Sequence, residues 1–394
     1  MSSHPGAAPG VELPGLAVRR TGPFGVYIHV PFCATRCGYC DFNTYTAAEL
    51  GGASPDGWLA ALRVELGLAA RRLADPPPVQ TVFVGGGTPS LLGAPGLAAV
   101  MDALREHFAL ASGAEVTTEA NPESTSPRFF AGLREAGYTR VSLGMQSTAP
   151  HVLAVLDRVH SPGRAVRAAA EAAVEGFEHV NLDLIYGTPG ESDEDLMRTA
   201  EAAVGAGVDH LSAYALIVEE GTALARRVRR GELAAPDDDV LAHRYELLDA
   251  RLCEAGFDWY EVSNWSRPGG ECRHNLGYWD GGQWWGAGPG AHGFVGATRW
   301  WNVKHPSSYA AALADGELPV ADFEHLDEQT AHVEDVMLRL RLRSGLPDSV
   351  LTADEQGRAA TAIGDGLLER VGDRLVLTDH GRLLADAVVR SLLG

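Results

Sequence analysis

The sequence predicts an α/β fold built on a parallel sheet. Three observations carry that expectation. Between Val26 and Val218, short apolar runs rich in Val, Ile, Leu and Tyr alternate six times with longer helical patterns, the signature of repeated βα units. The 394 residues exceed what one hydrophobic core usually supports, while 45% hydrophobic and 21% charged side chains suit a folded globular chain. Polar and glycine-rich oddities fall where the apolar runs end, and in parallel α/β folds ligands sit at the C-terminal strand ends. Six right-handed crossovers curl into a partial barrel or form an open twisted sheet.

The six predicted strands cover 26–30, 81–85, 115–120, 140–146, 179–187 and 210–218. Helical patterns over 56–73, 94–108, 127–136, 163–176 and 194–204 lie between them. Ser126, Ser161 and Ser192 stand where an N-cap oxygen would satisfy free amides, with Pro127, Pro162 or early acids next in the chain. A helix over 239–255 opens a segment of different composition, in which seven of the eight tryptophans lie between Trp259 and Trp301. After Pro319 the only Phe, Tyr or Trp is Phe323, and a helix, a Gly-Asp hairpin and a second helix outline a winged-helix-like cap. The expected units are a flexible tail over 1–20, a core over 21–235, an accessory module over 236–319 and the cap over 320–394.

Thirty-two basic against 52 acidic side chains give a net charge of −20, which disfavours nucleic acid as a partner. The cap, with eight arginines, no lysine and fourteen acids over 321–394, is no exception. The N-terminus lacks a basic start leading into an apolar stretch, and no run of 18 apolar residues occurs, so a cytoplasmic protein is expected. Five cysteines are few, and three of them lie within eight positions. In a reducing compartment that clustering favours metal binding over disulfides.

Cys33, Cys37 and Cys40 are spaced C-x3-C-x2-C, with Tyr39 before the last. Three close thiolates suit a soft metal or an iron–sulfur cluster. A four-iron cluster normally takes four cysteines, so three would leave one iron open to a ligand. A zinc site completed by His29 is the other reading of the same residues. At the second strand end, Gly85-Gly86-Gly87-Thr88-Pro89 lets backbone approach a ligand and offers amides to it. Glu119, Gln146, Arg158 and Asp183 stand at or just beyond later strand ends. Such acids accept from hydroxyls and such an arginine forks to a carboxylate, although each taken singly also suits helix capping. Tyr27 and His29 share one strand face. Farther on, His274, Tyr278, Trp279, Trp284 and Trp285 offer a metal ligand and broad apolar faces, or a core of aromatics around a satisfied histidine. His292 and His305 are further ligand candidates that equally fit loops.

The cysteine motif resembles that of the radical S-adenosylmethionine family. That resemblance implies a partial (β/α)6 TIM-like barrel, a 4Fe-4S cluster on Cys33, Cys37 and Cys40, and S-adenosylmethionine chelated at the open iron and cleaved to a 5'-deoxyadenosyl radical. Tyr27, Tyr39, Gly86, Gly87, Thr88, Glu119, Gln146, Arg158 and Asp183 are similar to the S-adenosylmethionine contacts of the coproporphyrinogen-oxidase-like branch. His274-Asn275-Leu276-Gly277-Tyr278-Trp279 matches the HNxxYW element of the heme-chaperone group within it, which implies heme at His274, Tyr278 and Trp279. Heme-accepting proteins are then the implied partners, with a reductant such as flavodoxin or ferredoxin, peripheral contact with membrane heme proteins, and a monomer or homodimer. Against oxygen-independent coproporphyrinogen III oxidase, the relative that decarboxylates a porphyrinogen, this chain has Asp41-Phe42 where a further cysteine is expected. It also has only about 25 residues before the first strand. The resemblance therefore implies heme delivery more than porphyrinogen oxidation.

Overall fold

The computed structural model describes residues 11–19, 22–158 and 161–394. Six strands keep the predicted order: β1 (Phe24–Val30), β2 (Val79–Gly86), β3 (Leu110–Ala120), β4 (Arg140–Gln146), β5 (His179–Tyr186) and β6 (His210–Ala215). Each pairs in parallel with the next. Helices α1 (Pro55–Leu73), α2 (Gly93–Arg105), α3 (Pro127–Ala136), α4 (Pro150–Val155), α5 (Arg164–Val174) and α6 (Asp193–Gly205) fill the crossovers. They bury Leu62, Leu66, Leu104, Phe130, Leu133 and Leu196 against the sheet. Strand β6 stops at Ala215, short of the predicted 218, and the short helix α4 falls where no helix is predicted.

Two of the three expected caps form. Ser126 accepts from the Phe129 amide, and at α6 a reciprocal capping box links Ser192 with Asp195. Ser161 does not cap α5. Its amide and hydroxyl donate to Glu123 across 2.6 and 3.2 Å, and Gly163, at φ 69°, begins the helix. Of the tail expected over 1–20, residues 1–10 and 20 lie outside the described residues. Residues 11–19 are not a loose tail, because Leu13 is buried in the core and the Arg19 amide donates to Gln283 Oε1 at 2.9 Å.

The segment over 236–319 is not a separate body. After α7 (Ala223–Arg229) and α8 (Asp238–Glu254) come β7 (Asp258–Glu261), β8 (Asn264–Ser266), α9 (Arg273–Trp279), β9 (Gln283–Ala287), β10 (His292–Val295), β11 (Thr298–Asn302), α10 (Pro306–Ala314) and β12 (Val320–His325). All six of these strands extend the same 12-stranded sheet, ordered β12-β11-β10-β9-β1-β2-β3-β4-β5-β6-β8-β7. Strand β9 runs parallel to β1, so residues near 283 complete the sheet begun near 24. Trp259, Trp265, Trp285 and Trp300 join the main hydrophobic core. A second core belongs to the C-terminal unit, from Val336 to Leu392. It contains α11 (Glu328–Arg339), β13 (Leu346–Pro347), α12 (Ala353–Gly364), the hairpin β14 (Leu368–Val371) and β15 (Arg374–Leu377), α13 (Asp379–Leu383) and α14 (Ala385–Leu393). That unit begins after β12, later than the expected boundary at 320.

The inner face of the parallel sheet is polar. Packed barrels fill this space with branched apolar side chains. Here Thr117 and Glu119 of β3, Arg140 and Ser142 of β4, Asn181 and Asp183 of β5, and His210, Ser212 and Tyr214 of β6 line one cavity of about 140 Å³. Their i, i+2 spacing is the strand alternation that turns alternate residues inward.

Candidate cluster and cofactor site

The segment carrying the three cysteines leaves β1 and is held from several sides. The Cys33 amide donates to the Tyr45 carbonyl at 3.0 Å, the Gly38 amide to Leu156 at 3.0 Å, and the Leu224 amide to Gly38 at 2.8 Å. Asn43 extends this hold to the segments after β9 and β11, its Nδ2 donating to the carbonyls of Pro289 and Lys304 at 2.9 and 2.8 Å. Cys33, Cys37 and Cys40 are free thiols, neither fully buried nor fully exposed. Burial raises Cys33 and pushes Cys40 up to about 11, so both stay protonated until a bound cation displaces the protons. Arg158 Nη1 donates to Cys37 Sγ at 3.4 Å, and Cys33 Sγ lies 3.7 Å from Thr88 Oγ1.

His29 is not free to complete a zinc site with the cysteines, since its Nδ1 bonds the Tyr27 hydroxyl at 3.0 Å and its Nε2 the Asn43 carbonyl at 2.8 Å. Three thiols on a fixed loop, each available to a different iron, fit a cluster.

The glycine motif works by close approach. A Cβ on Gly87 would stand 2.5 Å from the Phe32 carbonyl oxygen and 3.1 Å from Cys33 Sγ. Its amides, expected to be open to a ligand, are committed. Gly86 N donates to Glu119 Oε2 at 3.0 Å, Gly87 N to the Val30 carbonyl and Thr88 N to the Phe32 carbonyl, both at 2.7 Å. Small residues and crossed hydrogen bonds thus press the second strand end against the cysteine loop.

Gln146 and Arg158 meet over Gly144, where a Cβ would lie 2.8 Å from Gln146 Nε2 and 2.9 Å from Arg158 Nη2. Gln146 holds φ 59°, a left-handed conformation uncommon for a side chain with a Cβ. Tyr39 packs among Ala149, Val152 and Leu216, and burial raises its phenol. Tyr27, Glu119 and Asp183 line the cavity itself. Asp183 accepts from Ser142 Oγ at 2.8 Å and Asn181 Nδ2 at 2.7 Å. Burial raises its carboxyl, and Glu119 is pushed up to about 8 by burial first and by Asp183 second. The candidates for S-adenosylmethionine thus fall into two adjoining groups around the strand ends.

Helix α9 lies along the same cavity, so the heme candidates and the cofactor candidates share one space. Glu115 secures it, accepting from the amides of Arg273 and His274 at 3.1 and 3.0 Å and from Arg140 Nε at 3.1 Å. His274 is buried, with Nδ1 on Thr81 Oγ1 and Nε2 on the Tyr278 hydroxyl, both at 2.8 Å. Burial lowers its pKa to about 4, so the ring is neutral at physiological pH. As folded, neither nitrogen is open to iron. Trp279 is half-buried and does not line the cavity. Trp284 meets the Tyr278 ring edge-on at 4.6 Å, whereas Trp285 is a core side chain against Trp300. His305 caps α10 through Ser307, and His292 stacks on Trp301. Thr81, Glu115, Arg140 and His210 are site residues that no motif in the sequence singles out. Alternation of polar residues on β3, β5 and β6 is the signal that marks most of this lining.

Glu119 sets a pH dependence. Its folded pKa lies above the ordinary value of 4.5, so the folded state holds the proton over the window up to about 8. Its contribution to stability is full below about pH 4.5 and is lost as the pH rises through 8. Glu119→Gln, which keeps an acceptor for the Gly86 amide, should flatten that fall when urea unfolding of the metal-free protein is measured from pH 5 to 9. Parallel curves for parent and variant would show that the carboxyl titrates normally.

The radical SAM superfamily model matches residues 27–203. The heme chaperone HemW of Mycobacterium tuberculosis is 73% identical over 384 residues, covering 98% of each chain. The heme chaperone HemW of Escherichia coli is 34% identical, covering 94% of this chain and 98% of its own. Among solved structures, the radical SAM enzyme coproporphyrinogen III oxidase (HemN) from Escherichia coli superposes with a TM-score of 0.81 at 22% identity, over 94% of this chain and 90% of that one, a likeness of fold. Cysteine loop, strand-end side chains and the helix bearing His274 all fall within these end-to-end alignments, and the chain belongs to the HemW family of the radical SAM superfamily.

Proposed function

We propose that the protein is a heme chaperone, which binds heme and passes it to acceptor proteins while carrying a 4Fe-4S cluster and S-adenosylmethionine. The observation that carries this reading is the end-to-end identity of 73% with a heme chaperone HemW.

Cys33, Cys37 and Cys40 would hold the cluster. Tyr27, Tyr39, Gly86, Gly87, Thr88, Glu119, Gln146, Arg158 and Asp183 would surround S-adenosylmethionine. Bound together, cluster and sulfonium supply one-electron chemistry. The chain's own part is to fix the thiols, to keep Glu119 protonated beside Asp183, and to hold Arg158 on Cys37. Heme would engage His274, Tyr278 and Trp279 once the Tyr278 hydroxyl leaves His274 Nε2, which exposes the nitrogen that Thr81 does not hold. A one-electron donor of the flavodoxin or ferredoxin type, a monomer or homodimer, cytoplasmic residence and peripheral contact with membrane heme proteins complete the proposal. No helix among the described residues is long and apolar enough to cross a membrane.

Three measurements test it. Anaerobic incubation of the reconstituted protein with coproporphyrinogen III and a reductant should yield no protoporphyrinogen; catalytic formation would refute the chaperone reading. Cys37→Ala should lose the brown absorbance and the iron of the cluster, and retention of four irons per chain would contradict the ligand assignment. For heme, His274→Ala should weaken binding about tenfold or more with the cluster intact, while Tyr278→Phe, which frees Nε2, should bind faster than the parent. Unchanged heme binding in both variants would place heme elsewhere.

A further inference from the structure

Glu65 stands in the middle of α1, on the face that otherwise buries Leu62, Leu66 and Ala69, and it is itself fully buried. A carboxylate in such a place is costly unless its oxygens are met. They are met from three other elements. Oε2 accepts from the Gly288 amide just after β9 at 2.8 Å and from the Tyr309 hydroxyl of α10 at 2.6 Å, while Oε1 accepts from Asn302 Nδ2 of β11 at 2.8 Å. Asn302 Nδ2 also donates to the Gly288 carbonyl at 3.0 Å, so both backbone groups of Gly288 are held. Burial still pushes the Glu65 carboxyl up to about 7 against the pull of these hydrogen bonds.

What Glu65 holds is what the cysteine segment closes on. Asn43, which follows Cys40 closely in the chain, donates its Nδ2 to the carbonyls of Pro289 and Lys304. Pro289 is the direct neighbour of Gly288, and Lys304 follows Asn302 across Val303. Each of the two acceptors therefore belongs to a stretch that one oxygen of Glu65 fixes. The Gly290 amide donates to the Val303 carbonyl at 2.9 Å and ties the two stretches together. Contact with the cysteine side is close, since a Cβ on Gly288 would stand 2.5 Å from the His29 carbonyl oxygen and one on Gly290 2.6 Å from Asn43 Nδ2. The Asn43 carbonyl accepts from His29 Nε2 at 2.8 Å, which returns the path to β1.

We propose that Glu65 is a positioning residue for the cluster: by holding Gly288 and Asn302 it sets the two carbonyls on which Asn43 closes, and through Asn43 the course of the chain that carries Cys40. The inference rests on the reading that Cys33, Cys37 and Cys40 are the cluster ligands. Glu65 acts through Asn43 and not on the thiols. An apolar side chain at this position would fill the same space on α1 but would leave the Gly288 amide and Asn302 Nδ2 without their acceptor, and a buried donor left unmet shifts until it finds one.

Hydrogen exchange of the full chain, metal-free and read by mass spectrometry, tests the proposal. Glu65→Ala should speed exchange of the amides over 41–46 about tenfold, as the loss of a hydrogen-bonded tie implies, and leave those of β5 unchanged. Glu65→Gln keeps the side-chain volume and an acceptor for the Gly288 amide, so it should give a smaller rise at the same amides and carries the test where Glu65→Ala fails to fold. Asn43→Ala cuts the tie at its other end, and adding Glu65→Gln to it should speed exchange no further. In the reconstituted protein, Glu65→Gln should alter the electron paramagnetic resonance signal of the reduced cluster at unchanged iron content. Parental exchange over 41–46 in the Glu65 variants, a rise matched across β5, additive effects in the double variant, or an unaltered cluster signal would overturn the assignment. Retention of four irons by Cys37→Ala would instead sink the ligand reading and leave the exchange result standing, so the two fail separately.

Discussion

One buried carboxylate, Glu115, joins the barrel wall to the helix that lies along its interior. It accepts from Arg140 Nε on the next strand and from the first two amides of α9, with Cys272 Sγ at 3.6 Å. Arg140 in turn donates to the carbonyls of Gly270 and Glu271 at 2.7 and 2.9 Å, so the loop before α9 is held from both ends. A buried ion pair adds little net stability over an apolar pair, but removing one partner strands a charge at a cost of several kcal/mol. The pair is thus better understood as fixing position than as adding strength. It sets where His274 stands, and therefore how much of the lumen remains open.

With α9 fixed in this way, the two ends of the lumen differ in character. At the strand ends nearest the cysteine loop, Glu119 and Asp183 face one another and burial raises both. Toward the strand starts, Asn181, His210, Tyr260 and Asn275 form a continuous network, with His210 bridging Asn181 Oδ1 at 2.7 Å and the Tyr260 hydroxyl at 2.8 Å, and Asn275 donating to that hydroxyl at 3.3 Å. Desolvation keeps His210 neutral. Polar groups satisfied by one another make a rigid interior. The carboxyls of this cavity that burial raises, Glu119 and Asp183, both stand at the end near the cysteine loop.

Much of the fold is legible in the sequence because βα units announce themselves locally. Strand β4 and helix α3 fall on their predicted residues, and the cysteines need only their spacing. The misses share one physical cause, which is long-range pairing. Nothing near Gln283 announces that it will lie parallel to Phe24, so the tryptophan-rich segment resembles a module of its own. Composition distinguishes it, yet its tryptophans go into the common core. Ser161 has the look of a cap because serine before proline usually is one; Glu123, distant in sequence, takes its amide and hydroxyl instead. The glycine motif stands where the sequence puts it but works differently, since whether amides are open depends on what the neighbouring strand end does with its carbonyls.

His274 illustrates how the same motif supports two states. A histidine with Thr81 on one nitrogen and Tyr278 on the other is, by itself, a satisfied interior residue. The two bonds differ in what it takes to break them. Thr81 belongs to β2, in the middle of a 12-stranded sheet, and cannot move without it. Tyr278 sits one turn along a seven-residue helix, where a change of side-chain rotamer withdraws the hydroxyl and leaves the backbone alone. The asymmetry assigns Nδ1 to the scaffold and Nε2 to whatever displaces the phenol. As the proposed heme ligand, His274 would be closed by its own neighbour and would open to a ligand whose contacts outweigh one hydrogen bond.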